Sequence, residues 1–148
     1  MQDIFVIELD RNRYGIPLAQ VCEVLRSASS LPLPGSPPVV EGVLNVRGQT
    51  APVFDLRLRF GLPARPPCHT DHLLLAWAGS RLVAIRADQA VGLVRFPEQD
   101  IESCAQGAEV IVGIARLPDG LVLIYDLARF LSQAESDCLE QAISRTCA

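Results

Sequence analysis

The sequence VVEGVLNVRGQTAPVFDLRLRF, residues 39–60, contains two apolar runs separated by a short polar interruption. The runs are rich in β-branched residues, which favour strands. Asn45, Arg47 and Gly48 lie between the runs, where a buried strand would be uniformly apolar. Gly48 is suited to the positive φ of a tight turn. We therefore expect a hairpin with Arg47 at its tip, beyond the buried residues.

A second stretch repeats this apolar pattern 71 residues later, and a shift of 69 residues relates the segments upstream of both stretches. The ordered agreement predicts two similar five-stranded units, residues 3–60 and 72–131, separated by the Pro-rich linker 61–71. The second stretch has Arg116-Leu117-Pro118-Asp119 where the first has Asn45 to Gly48, so the repeat itself does not require an arginine at the tip. The related pairs include Gly42 and Gly113, Val53 and Ile124, Asp55 and Asp126, and Ile16 and Ile85.

Short β-rich runs parted by Gly, Pro, Asn or Asp continue through the chain and predict about ten strands, which is typical of small all-β barrels. Asp55 and Asp126 each precede apolar residues at helical spacing and are expected to be helix N-caps. The tail, residues 132–148, predicts an amphipathic C-terminal helix. Its expected inner residues are Ala134, Cys138, Ala142 and Ile143, and its expected outer residues are Glu135, Asp137 and Glu140.

Composition limits the classes of function. The chain has 148 residues, a formal charge of −4 and no lysine, which argues against binding of a nucleic acid backbone. No apolar run is long enough to span a membrane and the N-terminus has no leader pattern, so we expect a cytoplasmic protein. The five cysteines form no CxxC pair, so reduced thiols are expected, with Cys22 packed in the core.

A catalytic centre needs a nucleophile, a base or a metal. The densest candidate is Cys68, His69, Asp71 and His72, which lacks the second ligand pair of a zinc site and is interpreted as a solvated loop. Nucleophile elbows and phosphate-binding loops are absent from the sequence. We therefore predict a non-enzymatic binding module without a cofactor or metal, with an apolar groove between two barrels as a dock for a partner helix. A metal- or thiol-dependent enzyme that uses this cluster is the second hypothesis.

The opening stretch closely resembles the signature of the CheW-like family, approximately G-[VI]-x-N-L-R-G-x-x-[VI]-P-[VI]-[VIF]-D-L-R. The resemblance extends over nearly all of residues 3–132. Three features depart from the family pattern: Val46 in place of the usual Leu, the Pro-rich linker and the Cys-containing tail. They leave open whether the pathway is swimming chemotaxis or a pilus, gliding or other chemosensory system. The matching residues are Gly42, Asn45, Arg47, Gly48, Pro52, Asp55, Leu56 and Arg57.

The resemblance implies two SH3-like five-stranded β-barrels packed together. It also implies an adaptor that couples the cytoplasmic tip of methyl-accepting chemoreceptors to the regulatory domain of a CheA-type histidine kinase; an adaptor-like competitor that does not activate the kinase is a further alternative. The same residues also have a structural interpretation, in which Arg47 bonds to local carbonyls and Asn45 and Gly48 form the turn. The partner-binding residues implied by the family are Val21, Glu23, Asn45, Arg47 and Gly48.

Overall fold

The computed structural model describes residues 1–103, 111–131 and 133–147, so Cys104 and the predicted strand residues 109–110 lie outside the described residues. The described residues form eleven strands and two α-helices. The helices are α1 (Leu56–Phe60) and α2 (Gln133–Cys147). The strands are β1 (Gln2–Leu9), β2 (Asn12–Pro17), β3 (Val21–Arg26), β4 (Val40–Val46), β5 (Gln49–Phe54), β6 (His72–Ala78), β7 (Arg81–Ala87), β8 (Gln89–Phe96), β9 (Ile101–Ser103), β10 (Ile111–Leu117) and β11 (Gly120–Tyr125).

The prediction of an all-β fold with short helices and a C-terminal helix is confirmed. Each predicted strand corresponds to an observed one, and among the strands of the described residues only the three-residue β9 was missed. Both predicted caps are also confirmed. The Asp55 side chain accepts a hydrogen bond from the Leu58 N–H, and the Asp126 side chain accepts one from the Ala128 N–H.

The strands form two sheets whose boundaries differ from those of the two sequence units. The first sheet has the order β8-β1-β2-β11-β10-β9 and the second has the order β3-β6-β7-β5-β4. Each sheet therefore combines the first two strands of one unit with later strands of the other unit. The parallel pairs β2–β11 and β5–β7 join the units within the sheets.

Equivalent positions of the units pair in the same way. Val53 lies opposite Ala84 in the second sheet, and the related residues Ile124 and Gly15 lie opposite each other in the first. A repeat in sequence reveals which strands are equivalent, but their hydrogen-bonding partners depend on long-range packing. The exchange of strands between units was therefore invisible in the sequence.

The chain connects the two edges of each sheet. After edge strand β8, the chain makes a short 3-10 turn, Glu98–Asp100, and returns as β9 to pair with β10. In the second sheet, the segment after β3 returns to β4 through an isolated bridge between Leu31 and Val43. Gly42 lies at this bridge, where an added Cβ would be 2.6 Å from the Leu31 carbonyl oxygen. The missing side chain allows the closing segment to approach β4.

Three groups of apolar side chains stabilise the fold. One group lies within each sheet's curve, represented by Val6 in the first sheet and Leu75 in the second, both fully buried. The largest group lies between the sheets and includes Phe54 stacked on Phe130 with ring centroids 4.4 Å apart. The junction between the sheets is therefore a packed core.

Helix α2 covers one side of this central core. Leu139 and Ala142 are buried and Ile143 packs against the same residues, whereas Ala134, expected inside, is exposed. The Cys138 thiol donates to the Gly35 carbonyl oxygen. Two carboxylates attach the helix to the body, Glu135 to Arg59 at 2.6 Å and Glu140 to Arg81.

The linker is largely exposed, as expected of a solvated loop, but ion pairs hold it and its last residue, Asp71, is buried. Asp71 is only 2% exposed and accepts a 2.6 Å hydrogen bond from Arg65 and a 2.8 Å bond from the Cys68 N–H. Arg65 also binds Asp88 at 2.6 Å, and Arg57 binds the other oxygen of Asp88 at 2.7 Å. The matched motif residue Arg57 is thus a buried structural cation.

Replacing Asp88 by Asn should lower the free energy of unfolding by about 1–3 kcal/mol, because Arg57 would remain largely buried without its carboxylate. Partial burial opposes ionisation of Asp88, but the Asp10 N–H, Arg57 and Arg65 outweigh this effect and lower its pKa. The stabilisation is therefore present above about pH 4, the unfolded pKa, and is lost as pH falls through the folded pKa. Urea unfolding at neutral and acidic pH would measure both effects.

The matched control is Asp3→Asn, which removes the exposed pair between Asp3 and Arg95. This substitution should change stability by less than about 0.5 kcal/mol. Equal effects of the two substitutions would contradict a structural role for the linker network.

Candidate functional site

The hairpin between β4 and β5 has the predicted tip. Val46 pairs with Gln49, and the two residues between them have positive φ, 51° for Arg47 and 85° for Gly48. Two positive φ values in a two-residue loop are typical of a type I′ turn, which matches the twist of the flanking strands. The Asn45 side-chain oxygen accepts a 2.8 Å hydrogen bond from the Gly48 N–H. Asn45 and Gly48 thus build the turn and present Arg47.

Arg47 forms an ion pair across the open end of the second sheet. Its Nη1 lies 2.6 Å from Oε1 of Glu23, although β3 and β4 are at opposite edges of the strand order. The Arg47 side chain is 73% exposed and that of Glu23 is 31% exposed. The neighbouring Arg47 guanidinium lowers the pKa of Glu23, so both groups are charged at neutral pH. Four of the five predicted site residues therefore meet at one corner, the hairpin corner: Glu23, Asn45, Arg47 and Gly48.

The fifth predicted residue, Val21, lies on the same face of β3 as Glu23. Val21 is half-buried and packs against the core between the sheets. The alternate face of β3 presents Val24 and Cys22, both exposed. The prediction that Cys22 packs in the core was wrong, because the inward face of this strand carries Glu23, whose charge is satisfied by Arg47.

An apolar cleft adjoins the hairpin corner and was not predicted. Leu31, Leu44 and Thr50 line it together with Asn45. Leu31 is 65% exposed even though its backbone closes the second sheet. The sequence signal was weak, since two leucines, Leu31 and Leu33, among prolines and serines resemble any surface loop.

The residues of the alternative enzyme hypothesis have different surroundings. His69 is exposed, His72 lies in β6, and the Cys68 thiol contacts the Thr70 hydroxyl at 3.2 Å. The Thr70 hydrogen bond lowers the pKa of Cys68, whereas Asp71 is engaged by Arg65. Within residues 1–103, 111–131 and 133–147, no three His, Cys, Asp or Glu side chains are grouped to hold a metal ion.

None of the described helices has the length and apolar character needed to cross a bilayer.

Comparisons with known proteins agree with the motif. The family model described as a CheW-like domain matches residues 3–135. The chemotaxis protein CheW of Helicobacter pylori is 27% identical over 124 residues, which cover 81% of this chain and 75% of that protein. Protein FrzA of Myxococcus xanthus is 38% identical over 103 residues, which cover 68% of this chain and 62% of that protein.

The fold also matches a solved structure. The crystal structure of the scaffolding protein TtCheW from Thermoanaerobacter tengcongensis superposes with a TM-score of 0.77 and 26% identity, covering 84% of this chain and 88% of that chain. This similarity confirms the expected arrangement of two SH3-like β-barrels. The chain therefore belongs to the CheW-like family of chemotaxis scaffold and adaptor proteins.

Proposed function

We propose that this protein is a non-enzymatic cytoplasmic adaptor that couples methyl-accepting chemoreceptors to the regulatory domain of a CheA-type histidine kinase. The observation that carries the proposal is the hairpin corner. The turn itself uses Asn45 and Gly48, whereas Arg47 is held at the tip with 73% of its side chain exposed. Family membership supplies the chemosensory setting.

The hairpin corner is suited to contact a helical partner. Arg47 has five N–H donors, and the contact to Glu23 engages only one of its nitrogens. The remaining donors can reach carboxylates or carbonyls of a receptor hairpin while Glu23 limits the freedom of the side chain. Val21 would add apolar contact beside this charged pair. The proposed partner-binding residues are thus Val21, Glu23, Asn45, Arg47 and Gly48.

Arg47→Glu should weaken binding to a receptor signalling fragment or to a kinase regulatory domain by about tenfold or more. The substitution removes the guanidinium donors and places a second carboxylate beside Glu23, which repels it. Binding would be measured by co-sedimentation and by calorimetry with each partner. Arg116→Glu is the matched control, because Arg116 is an exposed, ion-paired arginine near the tip of the β10–β11 hairpin. The Arg116→Glu protein should bind both partners with unchanged affinity.

The double variant Glu23→Arg/Arg47→Glu separates contact from stability. It restores an ion pair within the protein, but the positive charge now lies on β3 and the negative charge lies at the hairpin tip. Binding that stays weak supports a direct contact, whereas full recovery would show that the pair only stabilises the second sheet. In a reconstituted array, an adaptor should raise receptor-coupled kinase autophosphorylation, and a decrease would identify a competitor.

A further inference from the structure

The only tryptophan of the chain lies near the hairpin corner. Trp77 pairs with Leu82 between the antiparallel strands β6 and β7, and paired residues project to the same face of a sheet. Leu82 belongs to the apolar group within the curve of the second sheet, and so does Leu75, which lies two residues before Trp77. Trp77 is therefore the last side chain of a row on β6 that is otherwise buried.

The ion pair of the hairpin corner lies at the same end of this sheet. Glu23 pairs with Leu75 between β3 and β6, which makes Trp77 its diagonal neighbour on the same face. Diagonal neighbours of an antiparallel pair are roughly 7–8 Å apart, a distance that an aromatic side chain can span. Arg47 reaches Glu23 from the opposite edge of the strand order. The open end of the second sheet thus carries an indole, a carboxylate and a guanidinium.

Trp77 is exposed although its neighbours in the row are buried. It is 38% exposed, whereas Leu75 and Leu82 are 0% and 5% exposed. In the part of the chain that the structure describes, no aromatic ring and no cation stacks on the indole. Trp and Arg are among the residues that most often dominate the free energy of binding between proteins. The indole and Arg47 together therefore have the composition of a binding surface.

The backbone around Trp77 restricts the kind of partner. Strand β6 is hydrogen-bonded to β3 on one side and to β7 on the other, so it offers no free edge to an added strand. The hairpin tip is also closed, because the Gly48 N–H is bound by Asn45. A partner at this end is engaged through side chains, as the surface of a helix is. A helical receptor hairpin meets this requirement and leaves every strand pair intact.

We propose that Trp77 is a further receptor-contact residue, on which an apolar side chain of a receptor helix packs beside the polar contacts of Arg47. This inference rests on the proposed function and adds to it a residue outside the motif of residues 39–60. The competing explanation is that Trp77 only closes the open end of the second sheet.

The protein carries its own reporter for this contact, since its tryptophan fluorescence comes from Trp77 alone. The full-length protein would be titrated with a receptor signalling fragment from the same organism, in which phenylalanine replaces any tryptophan. Calorimetry would measure binding, and the emission wavelength and acrylamide quenching would be recorded at saturation. We expect emission at shorter wavelength and a loss of quenching, because the receptor helix would cover the indole.

The outcomes separate this inference from the proposed function. An unchanged spectrum at calorimetric saturation would overturn the contact at Trp77 and leave receptor binding intact. Absence of calorimetric binding would overturn the proposed function and this inference with it. A spectral change with a Trp-free kinase regulatory domain, and none with the receptor fragment, would overturn the assignment to the receptor.

A relocated tryptophan provides the control for the fluorescence. The double variant Trp77→Phe/Leu121→Trp moves the reporter to a position of the first sheet that is 58% exposed. Its emission and quenching should not change at saturation. Equal changes for both reporters would show that the signal does not arise at the open end of the second sheet, and would overturn the proposal.

Substitution of Trp77 tests its share of the binding free energy. Trp77→Ala should weaken receptor binding by about tenfold or more, whereas Trp77→Phe should keep most of the affinity, since it retains an apolar ring. Leu93→Ala is the control, at a leucine of β8 that is 54% exposed, and should bind with unchanged affinity. Thermal unfolding would verify that each variant is folded. A Trp77→Ala protein with lower stability and unchanged affinity would show that Trp77 only closes the end of the sheet.

Discussion

Two fragments made by cutting the linker, residues 1–66 and 67–148, are expected to be unfolded separately and to form one folded body when mixed. The first fragment would contain β1 and β2 without their neighbours β8 and β11, and β3 to β5 without β6 and β7. Each fragment would therefore expose unpaired strand edges and half of the core between the sheets. Unpaired backbone groups and exposed apolar area together make such a fragment unstable.

Circular dichroism and NMR of each fragment, alone and mixed, would measure this effect. The control is the full chain with a protease site in the linker, cleaved after folding, which should remain folded because every sheet contact is still present. A fragment 1–66 with dispersed NMR signals and a cooperative unfolding transition would contradict the interlocked arrangement of strands.

Gly42→Ala should destabilise the protein by about 3 kcal/mol or more, which is a large fraction of the stability of a domain this size. The added Cβ would lie 2.6 Å from the Leu31 carbonyl oxygen and 2.7 Å from the Ser30 hydroxyl. The Leu31 backbone cannot withdraw easily, since it exchanges two hydrogen bonds with Val43 at 2.8 and 2.9 Å. Denaturant unfolding would measure the loss.

Gly113→Ala provides the matched control at the equivalent position of the second unit. Its added Cβ would lie 3.2 Å from the Glu102 carbonyl oxygen, a distance that a small shift relieves. We expect a cost of about 1 kcal/mol or less. A Gly42→Ala protein as stable as Gly113→Ala would show that the closing segment is free to move, contrary to the structure.

Local features could be predicted from the sequence because their causes are local. The hairpin tip depends on Gly48 and its neighbours, and both helix caps depend on an Asp before an apolar run. The family motif also brought Glu23 and Arg47 into one hypothesis before any contact between them was visible. Their 2.6 Å separation gives that hypothesis a geometric basis, although partner binding itself stays a prediction.

Features that depend on distant parts of the chain could not be predicted. Cys22 resembled a core residue because the sequence does not show that Glu23 has a cation to pair with across the sheet. Asp71 resembled a solvated residue for the converse reason, since Arg65 neutralises it within a Pro-rich segment. In both cases an ion-pair partner from elsewhere in the chain allows a charged side chain to face inward. Apolar periodicity carries no information about that partner.

The order of the strands along the chain has a consequence for synthesis, because the strands of the second sheet lie between the first and last strands of the first sheet. The five strands of the second sheet form a continuous stretch, from β3 to β7, whereas the first sheet begins with β1 and is completed only by β10 and β11. On the ribosome, the second sheet has all its strands once residue 87 has emerged, while β1 and β2 still lack every partner except each other. Since a chain folds as its contacts become available, the barrel with the hairpin corner can form first and hold the N-terminal hairpin until the end of the chain arrives.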